Sequence, residues 1–243
     1  MKDFLQDLVS HTHSLGVLPI IRVSASTEST KMDSLAEDHT IILNAQTHEP
    51  ISSLVGVFGM TNMHKLDLHL KCPEYKENSR ITLTTINKDS KLVPTGLHFE
   101  NEKGDFSNDY RFMAQEIVDL KLKNAKFRGA KWDVSFEPTQ TNIQRLKFQA
   151  AAHTEETLFK LSTKDGNLII SFGDFNTHAG SFVFQADVNG TLKNSLSLPK
   201  SQFLSVLNLD GNKTINIAEA GAVEITVDSG IAIYKYIFPA HTQ

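Results

Sequence analysis

One cysteine, Cys72, stands among 243 residues. A lone thiol excludes an internal disulfide framework and suits a reducing compartment. No apolar run approaches the roughly 18 residues that a membrane-spanning helix needs, so no membrane partner is expected. Met1-Lys2-Asp3-Phe4 lacks the apolar stretch and small-residue cleavage site of a secretory leader, and a cytoplasmic location is expected. The acceptor patterns Asn189-Gly190-Thr191 and Asn212-Lys213-Thr214 then read as chance. Neither a Walker pattern nor G-x-G-x-x-G occurs, and no serine sits in G-x-S-x-G. Ten histidines do not make a metal site. His11 and His13 are two apart, which a helix turns away from each other, and His64 and His69 lack companion ligands at metal spacing. No cofactor, no metal and no catalytic residue is expected, and therefore no enzyme.

What is present is a long internal repeat. Phe4 to Leu8 and then Pro19 to Ser24 are echoed by Ile143 to Lys147 and then Thr157 to Ser162. His39 to Gln46 matches Gly180 to Asp187. Ile51–Phe58, Lys65–Leu70, Ile81–Ile86 and Leu92–Phe99 run in the order of Ser201–Asn208, Lys213–Ile217, Val223–Val227 and Ile231–Phe238. The offset drifts from about 139 to about 150 residues, far beyond the roughly 20–50 of a solenoid unit. The reading is a duplicated domain, each copy of a size that closes one core: residues 1–114 and 132–243, joined by a basic connector over 115–131.

Short alternating runs such as Ile81 to Ile86 and Val223 to Val227, punctuated by Asp-Gly and similar turns, predict antiparallel hairpins. Helical spacing appears over residues 2–13, 139–152 and 200–208. Residues 51–60 follow Pro50 and are almost wholly apolar; they suit either a short helix or a buried strand. The expected fold class is α+β and β-rich: two tandem similar domains of antiparallel sheets, two helices each. Those helices hold Lys2, Arg145, Lys147 and Lys200 against Asp3 and Asp7, whereas the whole chain carries −4. Helices usually place acids in the first turn, so acid-free segments at 51–60, 139–152 and 200–208 suggest a surface facing phosphate.

The order of these elements resembles the DNA sliding clamps. Asp109 to Met113 resembles the last strand of a clamp's first domain, Gln115 to Lys131 its interdomain connector, and Lys131 to Phe136 with Pro138 the lead into the second domain. Tyr234 to Ala240 resembles the closing strand of proliferating-cell-nuclear-antigen-type clamps. The compact length and abbreviated helices look most like clamps of large tailed phages, which would work in the host cytoplasm. The resemblance implies a homotrimeric ring that encircles duplex DNA without sequence specificity and tethers a replicative DNA polymerase, with an ATP-dependent clamp loader as partner. It implies DNA-facing residues Lys2, Lys65, Arg145, Lys147, Lys200 and Lys213. It implies a subunit contact through Phe106, Asn108, Tyr110 and Phe112 on one edge and Phe182, Phe184 and Ala186 on another. A groove for partner peptides is expected from Val118, Leu120, Leu122, Phe127, Ile237, Phe238 and Pro239. Two rivals compete: a β-rich oligomeric virion or tail structural protein, and a hydrolase with a site between the halves.

Overall fold

The computed structural model describes residues 1–243 except 77, 89, 124–126, 175, 177 and 243, with 241 and 242 as backbone only. In chain order the elements are α1 (Lys2–Thr12), β1 (Ile21–Ala25), β2 (Thr30–Leu35), β3 (Ile42–Thr47), β4 (Gly56–Met60), α2 (Met63–Lys71), β5 (Arg80–Lys88), β6 (Lys91–Glu100) and β7 (Ser107–Arg111). Then come α3 (Gln115–Lys121), β8 (Val134–Phe136), α4 (Gln140–Ala152), β9 (Leu158–Lys164), β10 (Asn167–Phe172), β11 (Gly180–Gln185) and β12 (Leu196–Pro199). The chain ends with α5 (Lys200–Leu207), β13 (Asn212–Ala218), β14 (Ala222–Asp228), β15 (Ala232–Pro239) and β16 (His241–Thr242). The α+β, β-rich architecture read from the sequence is present: strands of antiparallel sheet, and two helices in each copy of the repeat.

Two compact units divide the chain. The first holds Met1–Glu37, Ile42–Lys126 and Ser229–Tyr234; the second holds Asp38–Ile41, Phe127–Asp228 and Lys235–Gln243. In the first unit the strand order is β4-β1-β2-β3, with a second sheet β5-β6-β7. An isolated bridge from Gly59 to Met113 stitches the two sheets. In the second unit β11-β10-β9-β12-β16 form one sheet, and β14-β13-β8 are neighbours in the other. The segment expected as a connector is split, its helix α3 in the first unit and Phe127–Lys131 in the second.

Each core forms where apolar faces meet. In the first unit α1 buries Phe4, Leu5 and Leu8, α2 buries Met63, Leu66 and Leu70, and Phe58 stacks on Phe112 at 3.9 Å. In the second, Phe159 packs edge-on against Phe203 at 5.0 Å, and Phe203 lies 5.5 Å from Phe238. Burial of such aromatics contributes the largest single share of apolar area per residue.

Three of the expected helices stand where the spacing put them. The fourth does not. Residues 51–60 end in strand β4, and the helix is α2, which begins only at Met63. Gly56, at φ +99°, and Gly59 are poor helix formers, which leaves Val57 and Phe58 free to extend. Residues 65–70 alternate at Leu66, Leu68 and Leu70, which reads as a strand; the helical set is Met63, Leu66 and Leu70, and Leu68 points out. The repeat register changes with it. From this point the structural partners are α2 with α5, β5 with β13, β6 with β14 and β7 with β15, one element away from the pairing of the sequence runs.

Candidate nucleic-acid interface and sheet edges

Helix α4 begins at Thr139, whose Oγ1 accepts from the Asn142 backbone N–H at 3.1 Å and satisfies one orphan donor. It carries no acidic residue. Its buried stripe is Ile143, Leu146 and Ala150. Arg145 is exposed and its guanidinium lies 5.3 Å from the centre of the Phe182 ring, a cation–π contact that holds the side chain over β11. Lys147 is half-buried on the other flank. Lys213, at the head of β13, is also half-buried and donates to the Gly211 carbonyl at 2.9 Å. Burial holds its pKa below the usual lysine value; Asp210 opposes that shift and the Lys147 ammonium adds to it. Arg145, Lys147 and Lys213 therefore give the second unit a positive surface, with Lys147 and Lys213 close enough to repel.

Lys200 is not part of that surface. It is 8 % exposed, and its Nζ donates to the carbonyls of Ala150 at 3.4 Å and His153 at 2.5 Å. Those carbonyls belong to the frayed end of α4, where unpaired acceptors and the helix dipole attract a cation. The positive charge that the sequence counts on α5 is thus consumed inside the unit. Lys2 does the corresponding work in the first unit: it donates to Tyr75 O at 2.5 Å and Lys76 O at 3.0 Å, closing the turn that follows α2. Lys65 is exposed and lies on α2.

Each unit also has one open strand edge of interest. Among the described residues β7 pairs only with β6, and β11 only with β10. Phe112 donates its N–H to Thr95 at 2.9 Å, so the alternation of an antiparallel ladder turns the N–H groups of Asp109 and Arg111 outward. The side chains expected at a subunit contact are mostly spent elsewhere. Tyr110 is buried and its hydroxyl donates to the Thr61 carbonyl; burial pushes its phenol pKa up. Asn108 donates to the Tyr75 hydroxyl at 2.7 Å, Phe112 stacks on Phe58, and Phe184 is buried against Phe136. Phe106 is 41 % exposed, Phe182 lies beside Arg145, and Ala186 is exposed. The edges offer backbone more than apolar side chains.

The expected partner groove also changes. Residues 115–121 form a helix, so Val118 and Leu122 share its inward face and pack with Ile20, Leu35 and Met113. Gly59 lets this helix approach: a Cβ there would stand 3.0 Å from Val118. Ile237 and Phe238 are buried in the second unit's core. Phe127 is half-buried, its ring 6.0 Å from that of Trp132. Only Leu120, at 74 %, and Pro239 among the seven are exposed, joined by Ile117 at 49 %, which the expected groove left out. No group of three or more metal-ligating side chains occurs among the described residues.

No protein-family model and no curated protein matches the chain. Solved structures do. PCNA of Thermococcus kodakaraensis is similar over 99 % of this chain and 97 % of its own, with a TM-score of 0.68 at 7 % identity. A. fulgidus PCNA, bound to the C-terminal region of FEN-1, is similar over 100 % of this chain and 95 % of its own, with a TM-score of 0.68 at 11 % identity. The chain has the PCNA fold. Within the PCNA fold the two copies of the repeat and the connector between them account for the whole length, and α1, α2, α4 and α5 are its four domain helices. The residue that sequence reasoning overlooked on them is Phe148, 73 % exposed on α4. Its signal was available: about 200° around the helix from Leu146, it stands opposite the buried stripe.

Proposed function

We propose that the protein is a DNA sliding clamp: a closed ring of three copies that encircles duplex DNA and holds a DNA polymerase to its template. One observation carries the reading. A chain that takes the PCNA fold along its whole length leaves strand edges open in both of its units, β7 among those of the first and β11 among those of the second. An open edge is a template for pairing, and pairing one edge with a different edge on the next copy is a head-to-tail contact, the kind that makes a ring when the rotation between copies closes. The β7 strand of one copy pairs with β11 of the next.

Topology then supplies the hold, and the charges need only keep the duplex centred. Arg145, Lys147, Lys213 and Lys65 are the candidates, acting across water within a Debye length of roughly 10 Å at 0.1 M salt. Lys200 is withdrawn from this role. Polymerase and an ATP-dependent loader dock through short apolar-anchored segments, and Leu120 with Ile117 on α3 offers an exposed apolar surface among the described residues of the connector. The FEN-1 segment seated on A. fulgidus PCNA supports peptide docking as the mode. A phage-encoded clamp would do this work in the host cytoplasm.

The test uses the cognate polymerase, loader and ATP. Protein loaded on nicked circular DNA should lengthen the products of synthesis, and should leave the DNA when the circle is cut once. Equal retention on circles and linear molecules sinks the topological reading.

A further inference from the structure

Helix α4 presents an aromatic ring to solvent. Phe148 is 73 % exposed, and on the helix its neighbours at three and four residues are Gln144, Arg145, Ala151 and Ala152. The two alanines are too short to cover the ring. The flanking cations are Arg145 and Lys147, and α4 has no acidic residue to oppose them. The surface is therefore one apolar π-face inside a positive field. An acidic protein segment would answer the charge, but protein interfaces bury a cluster of apolar anchors, and no second large apolar side chain is exposed on α4 or α5. A base joined to phosphates answers both features at once: its face stacks on the ring while its backbone meets the cations. In a duplex both faces of a base are already covered by its neighbours, so the matching ligand has unpaired bases.

We propose that Phe148, set between Arg145 and Lys147, is a stacking platform for single-stranded nucleic acid. It rests on the reading that α4 faces nucleic acid and deepens it: the helix grips the unpaired strand beside a duplex as well as tolerating the duplex itself. The outward position of α2 is Leu68, 55 % exposed, which offers apolar surface but no ring to stack on.

The chain has a single tryptophan, Trp132, which allows a direct readout. Full-length protein carrying Phe148→Trp with Trp132→Phe is titrated with a twelve-residue oligodeoxythymidine, and separately with an abasic oligomer of the same length and charge. The expected result is quenching of the introduced indole's fluorescence by the thymidine oligomer and none by the abasic one. In the otherwise native chain, Phe148→Ala should weaken binding of the same oligomer about tenfold, the range of one stacked base. No quenching, or equal quenching by the abasic oligomer, overturns the proposal. So does a change in sedimentation of Phe148→Ala, which assigns the ring to a contact between copies. The two readings part cleanly. Protein that stays on circular duplex without the quench keeps the ring and loses the stacking; protein that shows the quench but leaves circles keeps the stacking and loses the ring.

Discussion

The Tyr234 hydroxyl donates to the Asp7 carboxylate at 2.7 Å, tying the strand near the end of the chain to its first helix across 227 residues. Ser229 donates to the same oxygen at 3.0 Å, and His11, 3.1 Å from the other, stacks on Tyr234 with ring centres 4.6 Å apart. The Asp7 side chain is 9 % exposed. Burial alone would raise its pKa, but these donors outweigh burial and hold it below the usual value. Ionised Asp7 therefore stabilises the first unit fully above the unfolded carboxylate value of roughly 4, and this contribution is lost as pH falls through the lower, folded value. Replacing Asp7 by Ala should cost about 1.5–3 kcal/mol at neutral pH. Asp7→Asn should flatten the acid limb of stability, measured by urea unfolding between pH 2 and 7; an unchanged limb removes Asp7 from the account.

Lys200 should matter to folding and not to DNA. Lys200→Met leaves the carbonyls of Ala150 and His153 without their donor, at a cost of about 1–3 kcal/mol in thermal unfolding. At a temperature where the variant is folded, its retention on circular DNA should equal that of the native protein. Selective loss of retention would restore Lys200 to the DNA surface.

Arg145→Gln with Lys147→Gln should act in the opposite sense. Neither side chain fills a core, so the melting temperature should hold. Binding to duplex should weaken, and the slope of log affinity against log salt should become shallower by about 0.9 for each phosphate no longer neutralised. A slope equal to that of the native protein clears both residues.

The outward N–H of Arg111 makes a clean probe of the β7 edge. Arg111→Pro removes that donor without touching the bond from Phe112 to Thr95, so the copy should fold while pairing with β11 of a neighbour fails. Sedimentation should show monomers in place of rings; intact trimers count against this edge.

Gly59→Val tests the seat of α3. The added branch would meet Val118 and Met113, which lie 3.0 and 3.1 Å from a mere Cβ. Overpacking of this kind costs about 1–3 kcal/mol. Limited proteolysis should then cut within 115–123 before the rest of the unit, and unaltered resistance would show that the helix has room to yield.

These tests separate what local pattern could show from what it could not. The helices α1, α4 and α5 were legible because an apolar stripe at helical spacing has one reading. α2 was not, because Leu66, Leu68 and Leu70 alternate as a strand does, whereas the buried helical face is Met63, Leu66 and Leu70 and the turn of the helix carries Leu68 outward. The connector was misread for the same reason at Val118, Leu120 and Leu122. Charge was harder still. Arg145 and Lys200 look alike in a tally, but the acceptors that neutralise Lys200 are carbonyls at the end of another helix, invisible until the chain is folded. The open edges β7 and β11 follow from strand order, and their alternating apolar residues face inward because each unit must close its own core before it can meet another.

The division of β15 has a temporal consequence. Its head, with Ser229 just before it, belongs to the first unit, whose other residues end at Lys126. On the ribosome the N-terminal copy must therefore wait, with Asp7 lacking the donors Ser229 and Tyr234, until the last strands have been translated. The halves are duplicates in layout, but they are not separable in synthesis: a fragment ending at Lys126 would emerge with its first helix still lacking its tether.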